Sequence, residues 1–256
     1  MRDAAEFDRP DLDRPDLDWQ GRPVRCHDCR HQDIQKNGLC QKGQACVHDR
    51  RTRRVVQFFT QHPELADSYL DHPYFEVRAA AAKRASVFRL QGVLSDPEAD
   101  VRIAAAFRLP PERIKHLSKD PDARVRAALV PKMGPNELVP MINDPDYAVR
   151  CVVARTLPVD LLPLAMNDSV PEVRRWVALR LSPDKLPSMV ADPDPMVRIE
   201  VAERLDPKHL FLLVKDADLR VRFTVAERID GAELGPLLDD SDDLVREMAR
   251  SRQCGI

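Results

Sequence analysis

The chain has 256 residues, 43% hydrophobic and 32% charged, with a formal net charge of −2 at pH 7, which supplies a substantial core and excludes a disordered tail. With 22 prolines against 8 glycines and only 5% aromatics, it lacks the glycine turns and aromatic strands that barrels, sandwiches and doubly wound sheets draw on, so an all-helical chain with frequent stops is expected. No stretch approaches ~18 consecutive apolar residues, and MRDAAEFDRP has neither the basic nor the apolar region of a signal peptide, so no membrane span and a cytoplasmic location are expected.

Residues 1–20 carry 3 basic and 7 acidic side chains. Their tandem Arg9-Pro10-Asp11-Leu12-Asp13 and Arg14-Pro15-Asp16-Leu17-Asp18 is too polar and proline-broken for a packed helix, and predicts a flexible acidic arm. Residues 21–60 reverse the balance, with 9 basic and 3 acidic side chains, and hold four of the six cysteines, Cys26, Cys29, Cys40 and Cys46. In a reducing compartment so tight a group reads as metal ligation before disulfides.

Gly38 and Gly43 allow tight turns beside two of these cysteines. Four soft thiolates suit tetrahedral Zn²⁺ or an iron–sulfur cluster. The second pair, Cys40 and Cys46, has five residues between its members where a structural zinc knuckle usually has about two, which leans away from zinc. Cys46-x-His48 leaves a Cys₃His zinc site open, with His27 and His31 as further spare ligands. Arg22, Arg25, Arg30, Lys36, Lys42, Arg50, Arg51, Arg53 and Arg54 would offset the negative charge of a four-thiolate cluster and raise its potential; nucleic-acid contact is the competing reading.

Residues 61–256 read as an array of eight repeats. Val-Arg recurs every 24 residues, at Val77, Val101, Val125, Val149, Val173, Val197, Val221 and Val245. With that Val as position 0, the unit has Asp at −5, often Pro at −4, Arg at +1, small or β-branched residues at +4 and +5, Leu at +8, and apolar residues at +13 and +16. Asp-Pro starts a helix, the Asp capping free N–H groups and the Pro fitting the first turn. Positions 0, 4, 5 and 8 line one face, and a proline at +9 or +10 (Pro110, Pro135, Pro158, Pro183, Pro207) ends the helix after about three turns. Prolines at +14 or +15 (Pro140, Pro163, Pro187, Pro236) reduce the second element to a turn or two of 3₁₀ helix. Such a unit cannot bury its own stripe, so neighbours must stack as a solenoid. Arg53 to Leu70 reads as a degraded unit zero, and Arg250 and Gln253 make the last unit polar where its predecessors are apolar.

Position +1 falls inside the apolar stripe, so Arg78, Arg102, Arg126, Arg150, Arg174, Arg198, Arg222 and Arg246 start on the core side and need partners. A ladder to the −5 acids Asp96, Asp120, Asp144, Asp168, Asp192, Asp216 and Asp240, or to neighbouring carbonyls, is the expected solution; a basic groove gripping phosphates is the alternative. A second basic row at +7 (Arg84, Arg108, Arg180, Arg204, Arg228) is expected to be a solvated edge.

The four cysteines followed by eight Asp-Pro-x3-Val-Arg-x2-Val-Ala-x-Arg-Leu-Pro units resemble the leucine-rich repeat variant family across residues 22–252. The resemblance implies a [4Fe–4S] cluster on Cys26, Cys29, Cys40 and Cys46, a right-handed solenoid of alternating α and 3₁₀ helices, bacterial cytoplasm and an association with nitrogen fixation. His72 in place of Asp and Ala85 in place of Leu make the first repeat depart from the pattern. The chain has no Gly-rich phosphate loop, GxSxG or HExxH, so no enzyme and no small-molecule substrate are expected. The expected function is a scaffold whose repeats bind another macromolecule, with the cluster capping the array or sensing iron or redox state. Electron transfer to a docked redox partner and nucleic-acid binding are the alternatives. Trp176, at the outward +3 position, is expected to be an exposed contact.

Overall fold

A computed structural model describes residues 16–253, and residues 1–15 of the acidic arm lie outside the described residues. The chain divides into two compact units, Met1–Leu117 and Ser118–Ile256. Both are built from the same repeat, and the described residues contain helices and isolated bridges but no strand.

The helix of a typical repeat runs from −2 to +7, as in Tyr147–Thr156, Pro171–Arg180, Pro195–Arg204 and Leu219–Arg228. It stops where expected, because Leu at +8 turns to extended backbone ahead of the proline. Its start differs from expectation. The N-cap is the acid at −3, not the one at −5: Asp122, Asp146, Asp194 and Asp218 each accept the backbone N–H of −1. The −5 carboxylate instead accepts the N–H of −3, bracing the turn that feeds the helix (Asp122 N to Asp120 Oδ1, 2.9 Å; Asp194 N to Asp192 Oδ1, 2.9 Å).

The short second element is 3₁₀ over Pro63–Tyr69, Val159–Ala165, Pro183–Met189 and Pro207–Leu213, while other repeats contribute a short α-helix, such as Pro135–Met141 and Gly235–Leu238. Proline position separates four of these cases. At +14 (Pro163, Pro187) it removes the mid-element N–H that would reach back four residues, and the element is 3₁₀; at +15 (Pro140, Pro236) that N–H remains and a short α-helix forms.

In the first unit Thr52–Gln61 packs on Phe75–Ala82, and Phe75–Ala82 on Ala99–Arg108; in the second, successive helices from Ala123–Leu129 to Asp243–Gln253 pack in sequence. Val at 0, the small pair at +4/+5, Leu at +8 and the apolar pair at +13/+16 are all buried, as with Val197, Val201, Ala202, Leu205, Leu210 and Leu213. Thr52–Gln61 followed by Pro63–Tyr69 gives unit zero the same helix-then-3₁₀ plan. At the other end Arg250 and Gln253 are exposed on the last helix, which keeps a polar outer face. No described helix is long and apolar enough to cross a membrane.

Arginine ladder and candidate metal centre

Arg78, Arg126, Arg150, Arg174, Arg198 and Arg222 at +1 are each bidentate to an aspartate, the −5 Asp of the following repeat, 18 residues on. Arg78 grips Asp96, and in the second unit Arg126 grips Asp144, Arg150 Asp168, Arg174 Asp192, Arg198 Asp216 and Arg222 Asp240, with Nε and Nη2 donating to the two carboxylate oxygens at 2.6–3.0 Å. Nη1 donates backwards to the backbone carbonyl of −5 in its own repeat, for Arg102 to Asp96 O and Arg174 to Asp168 O at 2.8 Å. Arg246 donates to Asp240 O and pairs with Asp243. Carboxylate and carbonyl are thus engaged at once, which satisfies a guanidinium that the helix stripe carries inward. Asp120 braces its own turn like the others.

The +7 row is not a solvated edge. Arg108, Arg180, Arg204 and Arg228 turn Nη1 onto two carbonyls of the preceding repeat, and Arg252 continues the row. For Arg180, Arg204, Arg228 and Arg252 the carbonyls are those of +5 and +8, such as Ala154 and Leu157 for Arg180 at 2.8 Å each, where a helix C-terminus leaves acceptors unpaired; for Arg108 they are those of +6 and +8, Lys83 and Ala85. Arg84 instead donates to Thr60 Oγ1. Trp176 is half-buried beneath Arg155, whose Cζ lies 4.7 Å from the ring centroid, not an exposed contact.

The described end of the acidic arm is docked. Asp16 accepts from Arg51 and Arg54, Arg50 N donates to Leu17 O at 3.0 Å, Asp18 takes the N–H groups of Gln20 and Arg22, and Trp19 stacks on Tyr74 with centroids 5.9 Å apart. Arg54 stands one period before Arg78, but the residue 18 positions on is His72, not an aspartate, and its guanidinium turns to Asp49 and Asp16. His72 retains half of the missing role, because its Nδ1 accepts Tyr74 N–H at 3.1 Å as the −5 carboxylates do two residues on.

The four cysteines sit on a one-turn 3₁₀ helix, Cys26–Asp28, and on loops around the Gln32–Lys36 helix. Gly38 (φ +74°) and Gly43 (φ +85°) occupy the left-handed region on either side of Cys40, as their spacing predicts. Cys26 and Cys29 are half-buried, Cys40 and Cys46 buried. The loops rest on unit zero: His31 Nε2 lies 2.5 Å from Tyr69 Oη, Arg30 Cζ sits 4.2 Å above the Tyr69 ring, His62 Nε2 lies 2.8 Å from Leu39 O, and Phe58 packs its ring against His31 and His62. No histidine was expected in this packing role; the signal lay in Phe58, Phe59, His62 and Tyr69 sharing the face of unit zero that must be covered.

All four thiols share one electrostatic neighbourhood. Burial pushes the Cys29 thiol up, opposed by the His31 N–H at 3.4 Å, and the charges of Cys46 and Cys26 push it further. Cys40 Sγ donates to Ala45 O at 3.3 Å, and the neighbouring Cys46 thiol lets Cys40 yield its proton more readily than usual, while Cys40 and then burial hold the proton on Cys46 against the N–H groups of His48 and Asp49. A bound cationic centre would offset the cost of ionising the buried thiols of Cys29 and Cys46, and donated N–H groups on sulfur are what such a centre uses to tune its ligands. Among the described residues no three His, Cys, Asp or Glu side chains are arranged as a site for a metal ion. The donor set nevertheless fits an iron–sulfur group: soft sulfur only, from one loop region, with nearby N–H donors.

Comparison with known proteins agrees with these features. Residues 16–68 match the family model described as LRV protein FeS4 cluster, and residues 171–194 match the leucine rich repeat variant model. A Rhodobacter capsulatus protein described as an uncharacterized 27.7 kDa protein in the nifB 3' region is 49% identical over 78 residues, which is 30% of this chain and 32% of that one, so the match spans about a third of the relative's length. A solved structure described as a leucine-rich repeat variant with a novel repetitive protein structural motif is 35% identical, with TM-score 0.84, over 90% of this chain and 98% of its own. A 24-residue period, an α/3₁₀ repeat and an N-terminal cysteine domain therefore converge with a near-complete structural match, and the chain is a member of the leucine-rich repeat variant family.

Proposed function

We propose that Cys26, Cys29, Cys40 and Cys46 ligate a [4Fe–4S] cluster that caps unit zero, and that the protein is a cytoplasmic, non-enzymatic scaffold whose repeats bind a protein partner. The observation carrying the reading is an all-sulfur donor set, Cys26, Cys29, Cys40 and Cys46, in one loop region within the segment that matches the FeS4 cluster family model, with N–H groups of His31, His48 and Asp49 directed at two of the sulfurs. The bound group would supply the cation that offsets the thiolate charge, and one-electron capacity. The chain's part is to hold that group, shield its Cys40–Cys46 side with Phe58, Tyr69, His31 and His62, and tie those loops to the first repeats. Loss of the group would return four repelling thiols to the loops and loosen the cap, which is the sensing arm of the proposal.

Electron transfer is the second reading, favoured by the half-buried Cys26 and Cys29. The genomic neighbourhood in the name of the Rhodobacter capsulatus relative supports a link to nitrogen fixation in either reading. The arginine rows give the nucleic-acid reading little support, because both rows are occupied by carboxylates and carbonyls. The test is replacement of each of the four cysteines by Ser with iron and sulfide counted on anaerobically purified protein. Loss of iron in all four variants, and retention in Cys151→Ser, is expected; iron retained in any of the four overturns that ligand.

A further inference from the structure

The chain holds two tryptophans and three tyrosines. Three of these five oxidisable rings, Trp19, Tyr69 and Tyr74, lie in one run of neighbouring side chains that starts at the cysteine site. His31 opens the run: its backbone N–H donates to Cys29 Sγ at 3.4 Å, and its Nε2 lies 2.5 Å from Tyr69 Oη. Ring centroids then follow at 5.9 Å from Tyr69 to His72, 6.4 Å from His72 to Trp19 and 5.9 Å from Trp19 to Tyr74, the last pair stacked. Tyr69 is 3% exposed, whereas Trp19 and Tyr74 are half-buried and reach solvent. Burial raises the Tyr69 phenol, Arg30 opposes it, and the charges of Cys29 and Cys46 add to it, so the ring shares the electrostatic neighbourhood of the sulfurs. These rings interrupt the repeat. Tyr69 stands at +16 of unit zero, where the later units have Val, Leu, Met or Ala, and His72 and Tyr74 stand at −5 and −3, where no later unit has an aromatic side chain. A layer that had only to be apolar would be served by Leu or Phe at 69; the hydroxyl there must be buried with partners, which His31 and Arg30 supply.

We propose that Tyr69, His72, Trp19 and Tyr74 form a relay that carries oxidising equivalents from the sulfurs to the surface, and so spares the four cysteines from irreversible oxidation. The relay serves thiolates on any centre, iron–sulfur or zinc, and so goes beyond the reading above. A one-electron oxidant of the peroxide-derived radical class removes an electron from the Cys29 sulfur. Tyr69 returns that electron, its phenolic proton passes to His31 Nε2, and a phenoxyl radical is left. Trp19 supplies an electron to Tyr69 across the His72 ring, and Tyr69 takes its proton back. Ascorbate or a thiol in solution gives the last electron at the Trp19–Tyr74 pair and is itself oxidised. No bond other than the Tyr69 O–H breaks or forms. Without this relief the sulfur goes on to sulfinic and sulfonic acid, from which a cysteine ligand does not return.

The test exposes the whole chain, purified without oxygen and with its metal and sulfide counted, to flash-generated tris(bipyridine)ruthenium(III) in the presence of ascorbate. Peptide mass spectrometry reads sulfinic and sulfonic acid at the four cysteines, and freeze-quenched electron paramagnetic resonance reads the organic radical. Tyr69→Phe and Trp19→Phe keep an aromatic ring in place and should raise the sulfur damage about threefold or more at equal dose. Tyr147→Phe and Trp176→Phe, in the second unit, should leave it unchanged. Trp19→Phe should also hold the radical on Tyr69, as a phenoxyl signal that disappears in Tyr69→Phe/Trp19→Phe. Equal sulfur damage in all variants, with melting temperature and metal content unchanged, overturns the inference. Damage that rises in Trp19→Phe without the Tyr69 phenoxyl signal marks an opened cap and overturns it too. Zinc in place of iron and sulfide overturns the cluster reading and leaves the relay to be decided by the same variants.

Discussion

At the scale of single residues, the array solves one problem repeat after repeat. A guanidinium carried inward at +1 is stable only if every donor is met, and the following repeat supplies a carboxylate while its own repeat supplies a carbonyl. Arg174→Ala leaves Asp192 buried without its cation and should cost about 3–5 kcal/mol in urea unfolding, whereas Asp194→Ala removes only an N-cap and should cost about 1 kcal/mol. A double-mutant cycle with Asp192→Asn should show the two ladder positions coupled by more than about 1 kcal/mol. The same pairs set the acid limit. Burial raises the carboxyls of Asp144 and Asp168, but the Arg126 and Arg150 forks outweigh it, and the Arg222 fork is the first cause at Asp240, so all three are held below 3.8. A carboxyl held below its unfolded value gives stability that is complete above about pH 4 and lost as pH falls through the depressed folded values. Far-UV circular dichroism should therefore stay flat down to about pH 4 and drop below it. The +1 arginines and −5 aspartates were legible because their 24-residue period is exact in the sequence. Their connection was legible only in outline, since a period says nothing about which neighbour a side chain reaches. The true N-cap was also written in the chain, as the second Asp of Asp144-Pro145-Asp146 and Asp192-Pro193-Asp194, but the first Asp is the more regular signal and draws the reading to the wrong position.

At the scale of elements, the helices Tyr147–Thr156, Pro171–Arg180 and Pro195–Arg204 end by three devices acting together: Leu at +8 leaves the helical region, proline follows, and the +7 arginine of the next repeat covers the carbonyls left open. Arg204→Ala uncovers Ala178 O and Leu181 O, so it should cost about 1–2 kcal/mol and speed amide exchange in Pro171–Arg180 more than in its own helix. Leu205→Ala, at a fully buried +8 position, should cost about 2–5 kcal/mol. Equal exchange in the two helices for Arg204→Ala would remove the capping role. The +7 row escaped sequence reading because an arginine at a stripe's border looks the same whether it faces water or the next repeat's carbonyls. Helix length was legible, because prolines at +9 and +10 can only stand outside a helix interior.

At the scale of the whole molecule, the chain is an array of repeats that each need a neighbour, and the cysteine loops cover unit zero through Phe58, Tyr69, His31 and His62. Removing the metal with a chelator, with a thiol reductant present to keep the four cysteines free, should increase amide exchange across residues 16–61 while the helices from Ala123–Leu129 onward keep their protection, as expected for a stack with nearest-neighbour coupling. The central claim is the cluster on Cys26, Cys29, Cys40 and Cys46. Iron and acid-labile sulfide should be counted on protein purified without oxygen, with visible absorption and electron paramagnetic resonance before and after dithionite. The account predicts about four irons and four sulfides per chain and a spectrum that changes on reduction; zinc without sulfide would contradict it.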